Sequence, residues 1–153
     1  MSSTAPAADA RALGLAHYAA RAALESVLAR HGVTFQQQIT LRLVAVAEAP
    51  LEREALVEQV TGSLKADPAE VRGVVAELIS KGLLTAGGSG GCEASEVRIT
   101  DAGREFHTAV SGESAEISAR IWGGIPAEDL AATGRVLALV TERANAELAA
   151  KAA

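Results

Sequence analysis

Asp67 to Arg104 reads DPAEVRGVVAELISKGLLTAGGSGGCEASEVRITDAGR, and this stretch decides the fold. Asp67 is a favoured helix N-cap, and Pro68 suits the first helical position, where no intrahelical donor is lost. Glu70 stands three residues after the cap, from where a carboxylate can reach back to the cap's own N–H. Val71, Val74, Val75, Leu78 and Ile79 recur at helical spacing and form one apolar stripe, and Gly82 follows as a left-handed stop. The spacing predicts a helix over 68–81 with one face buried and the other free for a partner. After Leu83, Leu84 and Thr85, the run Gly87 to Gly91 allows a tight reversal. Ser95, Val97 and Ile99 then alternate with Glu96 and Arg98 as a returning strand does. A helix followed by a two-stranded ribbon is the reading element and wing of a winged helix-turn-helix.

The flanking sequence fits that reading. Thr34 and Gln37 make a capping-box signature, opening a helix that carries Ile39, Leu43, Val44 and Ala47 and ends before Pro50. Glu52 to Val60 reads as a second short helix with Leu56, Val57 and Val60 on its buried side. Thr61 to Ala66 is the expected connecting turn, long for its kind, so the helix over 68–81 takes the recognition position. At the chain's start, Ala7 to His31 reads as one long helix striped by Leu13, Ala16, Ala20, Leu24, Val27 and Leu28 and stopped by Gly32. From Asp101 another helix runs past Phe106, Val110, Ile117 and Ile121 to the break at Trp122-Gly123-Gly124. Pro126 opens the last helix. Glu128 and Asp129 complement its positive end, and Leu130, Leu137, Val140, Thr141, Ala144 and Leu148 lie along one face.

At 153 residues and 49% hydrophobic, the chain is long enough to bury a core. Aromatic residues are only 3%, so that core is built from Ala, Val, Leu and Ile, and the Ala-rich helices at both ends call for close-packed partners. No apolar run approaches a membrane span, and MSSTAPAADA lacks a signal-peptide pattern, so a cytoplasmic protein is expected. The single Cys92 excludes an internal disulfide framework. The net charge of −5 does not announce a nucleic-acid binder, which concentrates cations on one face. Locally the balance is no better. From Glu52 to Arg104 six cations (Arg53, Lys65, Arg72, Lys81, Arg98 and Arg104) stand against nine carboxylates.

The order of N-terminal helix, helix-turn-helix, wing and C-terminal helical pair resembles the MarR family of bacterial transcriptional regulators. Lys81 to Leu84 (KGLL), Ile99 to Glu105 (ITDAGRE) and Ile125 to Leu130 (IPAEDL) carry the resemblance in order and spacing. It covers about Leu13 to Leu148. The expected fold class is mainly α with a small β-hairpin wing, a winged helix-turn-helix flanked by N- and C-terminal dimerisation helices. The expected divisions are an N-terminal dimerisation helix in 1–33, a DNA-binding domain in 34–104 and C-terminal dimerisation helices in 105–153. The resemblance implies a homodimeric regulator, repressor-like, on a pseudo-palindromic double-stranded DNA operator. It also implies a small aromatic or anionic effector, and it implies no cofactor and no enzyme activity.

Candidate DNA-contacting residues follow from that arrangement. Ala69, Arg72 and Gly73 lie on the outward face of the recognition helix, and Arg72 is its one cation, able to meet a guanine edge or a phosphate. Gly73 is costly inside a helix and suits close approach of another backbone. Arg53, Ser63 and Lys65 stand near the turn, and Arg98 stands on the returning strand. Family members carry an Asp-Arg pair at the wing tip; here the stretch is Gly91-Cys92-Glu93-Ala94-Ser95-Glu96, whose carboxylates repel phosphate. His17, Tyr18, Arg21, Phe35 and Trp122 hold most of the aromatic and anion-pairing groups for an effector cleft. The three histidines and Cys92 do not have metal-ligand spacing, and no nucleophile triad or phosphate loop is present. The acidic reading head leaves an alternative, a winged-helix scaffold that binds protein or ligand and has weakened or lost DNA affinity.

Overall fold

The structure, a computed structural model, describes residues 7–87 and 95–152. The expected wing tip from Gly88 to Ala94, with Cys92 and Glu93, lies outside the described residues. The elements are α1 (Ala10–Arg30), α2 (Phe35–Val46), β1 (Leu51–Glu52), α3 (Arg53–Leu64), α4 (Pro68–Ser80), β2 (Leu84–Gly87), β3 (Glu96–Ile99), α5 (Asp101–Trp122) and α6 (Ala127–Ala152). The chain divides into two compact units, Met1–Ile117 and Ser118–Ala153.

The first unit holds the winged helix. Asp67 caps α4 as expected, its carboxylate accepting from the amides of Ala69 at 2.8 Å and Glu70 at 3.4 Å. That cap is one-sided, without the return bond expected from Glu70. The reciprocal box forms instead at α2, where Thr34 Oγ1 accepts from Gln37 N and Gln37 Oε1 accepts from Thr34 N. Val71, Val75 and Leu78 are fully buried and Gly82 adopts φ +72°, so the stripe and stop of α4 fall where their spacing put them. On α2 the buried residues are Leu41 and Val44 with the polar Gln37, Gln38 and Thr40, while Leu43 is only partly covered. The core packs Leu41 and Val44 against Leu56, Val57 and Val60 of α3 and against Leu84 and Val97 of the sheet.

Two expectations are corrected. Helix α3 continues through Thr61, Gly62 and Ser63 to Leu64, so the turn shrinks to Lys65, Ala66 and Asp67. Lys65 closes α3 in the left-handed region, φ 54°, with its N–H on Thr61 O at 2.8 Å. Lacking a glycine there, the sequence gives no stop signal; a side chain in this conformation costs about 1 kcal/mol. The ribbon is also three-stranded, in the order β1-β3-β2, with Leu51 opposite Val97 and Glu52 opposite Glu96. Two residues are too few to show an alternating pattern, which is why β1 escapes sequence reading.

Thr100 joins the wing to α5. Its N–H donates to Leu83 O at 3.2 Å, its hydroxyl donates to Gly82 O at 2.7 Å, and its Oγ1 accepts from Gly103 N at 2.9 Å. Beyond it, Val110 packs with Leu28 and Val33 in a second apolar cluster. Arg30 and His31 meet Glu113 across α1 and α5, at 2.7 and 2.9 Å. The Arg30 bond foremost, and then that of His31, hold the Glu113 carboxyl below its ordinary range.

His107, half-buried on α5, titrates lower than a free imidazole because burial disfavours its charged form, with a smaller push from Arg42. Below the ordinary value of about 6.5 the unfolded chain binds a proton that the folded chain resists. Unfolding is therefore expected to become easier as pH falls from about 7.5 through the folded value and to level off beneath it. Urea midpoints measured across that window should drop for the native chain and stay flatter for His107→Gln; equal slopes would contradict the assignment.

The second unit contains the end of α5 and all of α6. Gly124, at φ +79°, turns the chain between them. No residue of α6 is buried. Of the apolar face read from the sequence, Leu137, Val140 and Leu148 are 37–52% exposed and Leu130 is half-buried; Val136 and Leu139 are exposed as well. Much of α1 is alike: only Val27 and Leu28 are buried, and Leu13 and Leu15 are exposed.

Candidate nucleic-acid interface and ligand cleft

Helix α4 turns Ala69, Glu70, Arg72, Gly73, Ala76, Glu77 and Ser80 outward, all exposed, while its valines and Leu78 anchor it from behind. That face is narrow and made mostly of small side chains. A Cβ added at Gly73 would meet nothing within 4 Å, so no packing inside this chain requires the glycine.

Two of the three charges on this face, Arg72 and Glu77, are already partnered. Arg72 donates from Nε to both carboxylate oxygens of Glu54, at 3.1 and 3.2 Å, and from Nη2 to Oε2 at 2.8 Å. This two-pronged fork runs from α4 to the first turn of α3. The Arg72 bond holds Glu54 below the usual carboxylate range, and Glu54 in turn raises Arg72. Both groups are about half exposed, so solvent screens the pair. Glu77 accepts from Gln37 Nε2 at 2.6 Å, and Lys81 Nζ donates to Gly32 O at 3.1 Å. The two bonds tie α4 to the turn that joins α1 and α2.

Of the other DNA candidates, Ser63 and Lys65 are exposed at the end of α3, and Arg53 is half-buried with its backbone N–H on Ser95 O at 2.7 Å. Arg98 is exposed on β3, with its guanidinium 3.5 Å from Glu96. The cations thus occupy the turn, the reading helix and the wing base, each near a carboxylate or a loop. Sequence reading missed Glu54, because its partner lies eighteen positions away and only the crossing of α3 and α4 unites them.

An open cleft of about 430 Å³ lies where α1 turns into α2, lined by Arg21, Glu25, Leu28, Ala29, Val33, Thr34, Phe35 and Gln36. The Arg21 guanidinium sits 4.8 Å over the Phe35 ring and also bonds Glu25 at 2.8 Å. Of the five effector candidates the cleft brings together Arg21 and Phe35. His17 and Tyr18 lie upstream on α1, exposed and packed edge-to-face on each other at 5.7 Å; Trp122 belongs to the second unit and is half exposed. No group of three or more potential metal ligands converges among the described residues. No described helix is long and apolar enough to cross a membrane.

No protein-family sequence model and no curated protein matches this sequence. The fold does have matches. A MarR-family transcriptional regulator from Rhodococcus sp. RHA1 aligns with a TM-score of 0.68 at 18% identity, over 82% of this chain and 87% of that one. CouR from Rhodococcus jostii RHA1, bound to p-coumaroyl-CoA, aligns at 0.66 and 18%, over 82% and 85%. Staphylococcus aureus MarR in complex with salicylate and kanamycin aligns at 0.66 and 18%, over 81% of each chain. The chain has the winged-helix fold of MarR-family transcriptional regulators.

Proposed function

We propose that the chain is a homodimeric, cytoplasmic, DNA-binding transcriptional regulator of MarR type whose grip on DNA responds to a small aromatic or anionic effector. The observation that carries this reading is the α4 face: an anchored recognition helix with exposed Ala69, Gly73 and Ala76, small enough for a groove to close on, and Arg72 at its centre. In this reading residues 34–104 form the DNA-binding head, and the helices in 1–33 and 105–153 pair with a second copy through the uncovered apolar faces of α1 and α6. Two heads then place one α4 each in adjacent major grooves of a pseudo-palindromic site. Arg53, Ser63, Lys65 and Arg98 contact the sugar-phosphate backbone, and Gly73 lets the groove wall come close. Repression follows where such a site overlaps a promoter.

The effector belongs to the cleft at the α1–α2 turn. Its volume lies within the usual range for small-molecule sites. Arg21 offers a partner for a carboxylate beside an aromatic ring, in keeping with the salicylate bound by one structural neighbour. Thr34 lines this cleft and shares its capping box with Gln37, which bonds Glu77 on α4. A ligand there is placed to shift the recognition helix.

Binding to duplex DNA from upstream of its own coding region, followed by gel shift across a salt series, tests the reading. Salt-sensitive, sequence-dependent binding is expected, and Arg72→Ala should weaken it by about 1–3 kcal/mol. Absence of any such binding at micromolar protein, or an unchanged affinity for Arg72→Ala, sinks it. The scaffold alternative draws on the Glu54 fork over Arg72 and predicts that negative result.

A further inference from the structure

The Glu54–Arg72 fork is puzzling on a DNA-reading face, because it occupies the one cation at the centre of α4. A guanidinium offers a planar pair of N–H donors, and carboxylate and phosphate accept that pair in the same side-on geometry. Glu54 already fills it, with contacts of 2.8 to 3.2 Å. The carboxylate is itself well held: it lies in the first turn of α3, where the helix dipole favours a negative charge, and Arg53 adds a further attraction. Glu54 is not the cap of α3, since Glu52 accepts the Ala55 amide at 2.7 Å. Its side chain is thus committed to Arg72 rather than to the helix. Both partners stay half exposed, so an incoming acceptor can reach the guanidinium and displace the carboxylate.

We infer that Glu54 is an internal phosphate mimic that sets sequence discrimination by competing with DNA for Arg72. On duplex of arbitrary sequence, a single phosphate offers Arg72 nothing better than Glu54 does, so the fork stays closed and the carboxylate adds repulsion. On a cognate site the base edges add bonds that the phosphate lacks, and the fork opens. Glu54 thereby lowers background binding more than specific binding. This inference rests on the DNA-binding reading above.

Glu54→Gln keeps the side-chain shape and removes the competing charge. Its affinity for mixed-sequence duplex DNA is expected to rise about tenfold, and the slope of log affinity against log salt to steepen by about one, the increment for one added phosphate contact. Affinity for the upstream duplex should rise less, so the ratio between the two falls. In an Arg72→Ala background, Glu54→Gln should change mixed-sequence binding little. If it gives the full gain there as well, the effect is general charge removal and the inference is overturned. Native protein that binds DNA while Glu54→Gln binds both duplexes as the native chain does overturns the inference alone. Loss of all salt-sensitive binding by both proteins overturns the DNA-binding reading with it. A readout without DNA guards against misfolding: the Arg72 Nε–H resonance should exchange more slowly with water in the native chain than in Glu54→Gln or Glu54→Ala.

Discussion

Gly103→Ala is expected to destabilise the winged helix by about 2–3 kcal/mol, although alanine is the better helix former. A Cβ at this position would stand 2.1 Å from Leu83 O and 2.8 Å from Ile99 Cγ1. The first of these atoms is backbone, and it cannot swing aside as a side-chain tip can. Leu83 O also accepts the Thr100 N–H, and Gly103 N donates to Thr100 Oγ1, so pushing α5 away from Leu83 strains the whole join between wing and α5. The cost of overpacking outweighs the gain of about 1 kcal/mol in helix propensity. Gly112, on the same helix, has nothing within 4 Å of its would-be Cβ. Gly112→Ala should therefore stabilise the chain by about 0.5–1 kcal/mol. Urea unfolding of both variants at one protein concentration checks the pair. Equal signs of the two changes would show that the backbone approach at Gly103 is not what the glycine serves.

Leu78→Ala is expected to cost about 3 kcal/mol, the middle of the range for emptying a fully buried leucine site. Leu78 is fully buried at the back of α4, and its backbone carbonyl accepts the Leu83 N–H beyond the helix end. The cavity would therefore loosen the C-terminal turn of α4 and the start of β2 together. Affinity for the upstream duplex should fall even at temperatures where circular dichroism reports a folded chain. Leu137→Ala makes the contrast: on α6 the side chain is already partly exposed, so in an isolated chain little is lost. If α6 is covered by a second copy, Leu137→Ala should instead weaken the protein in a concentration-dependent way. Thermal melts of both variants over a dilution series separate the two cases. A Leu78→Ala loss below about 1 kcal/mol would mean that the site collapses around the missing methyls.

How far the sequence could be read depended on the range over which each feature is determined. Asp67, Pro68 and Gly82 act within one turn of a helix end, and the valines of α4 act at fixed spacing, so this element was legible residue by residue. The Thr34–Gln37 box was legible for the same reason. The end of α3 was not, because Lys65 closes it in a conformation that the sequence signals only when glycine is present. The segment ITDAGRE is a pattern in the sequence whose physical cause lies in three dimensions, where Thr100 and Gly103 meet the carbonyl of Leu83. Among the proposed effector residues, Arg21 and Phe35 share a cleft because α1 and α2 fold back at Gly32, a juxtaposition that residue type alone does not show.

By itself the sequence determined the caps at the starts of α2 and α4, the buried stripe of α4 and the order of helices that makes a winged helix, since these depend on local hydrogen bonds and on the period of apolar residues. It also determined that the stretch from Glu52 to Arg104 carries more carboxylates than cations. Only the tertiary structure decided where those charges go. A count of charge treats Glu54 and Arg72 as independent, whereas the crossing of α3 and α4 sets them in one fork, and the strength of a guanidinium's grip on anything else depends on what it already holds.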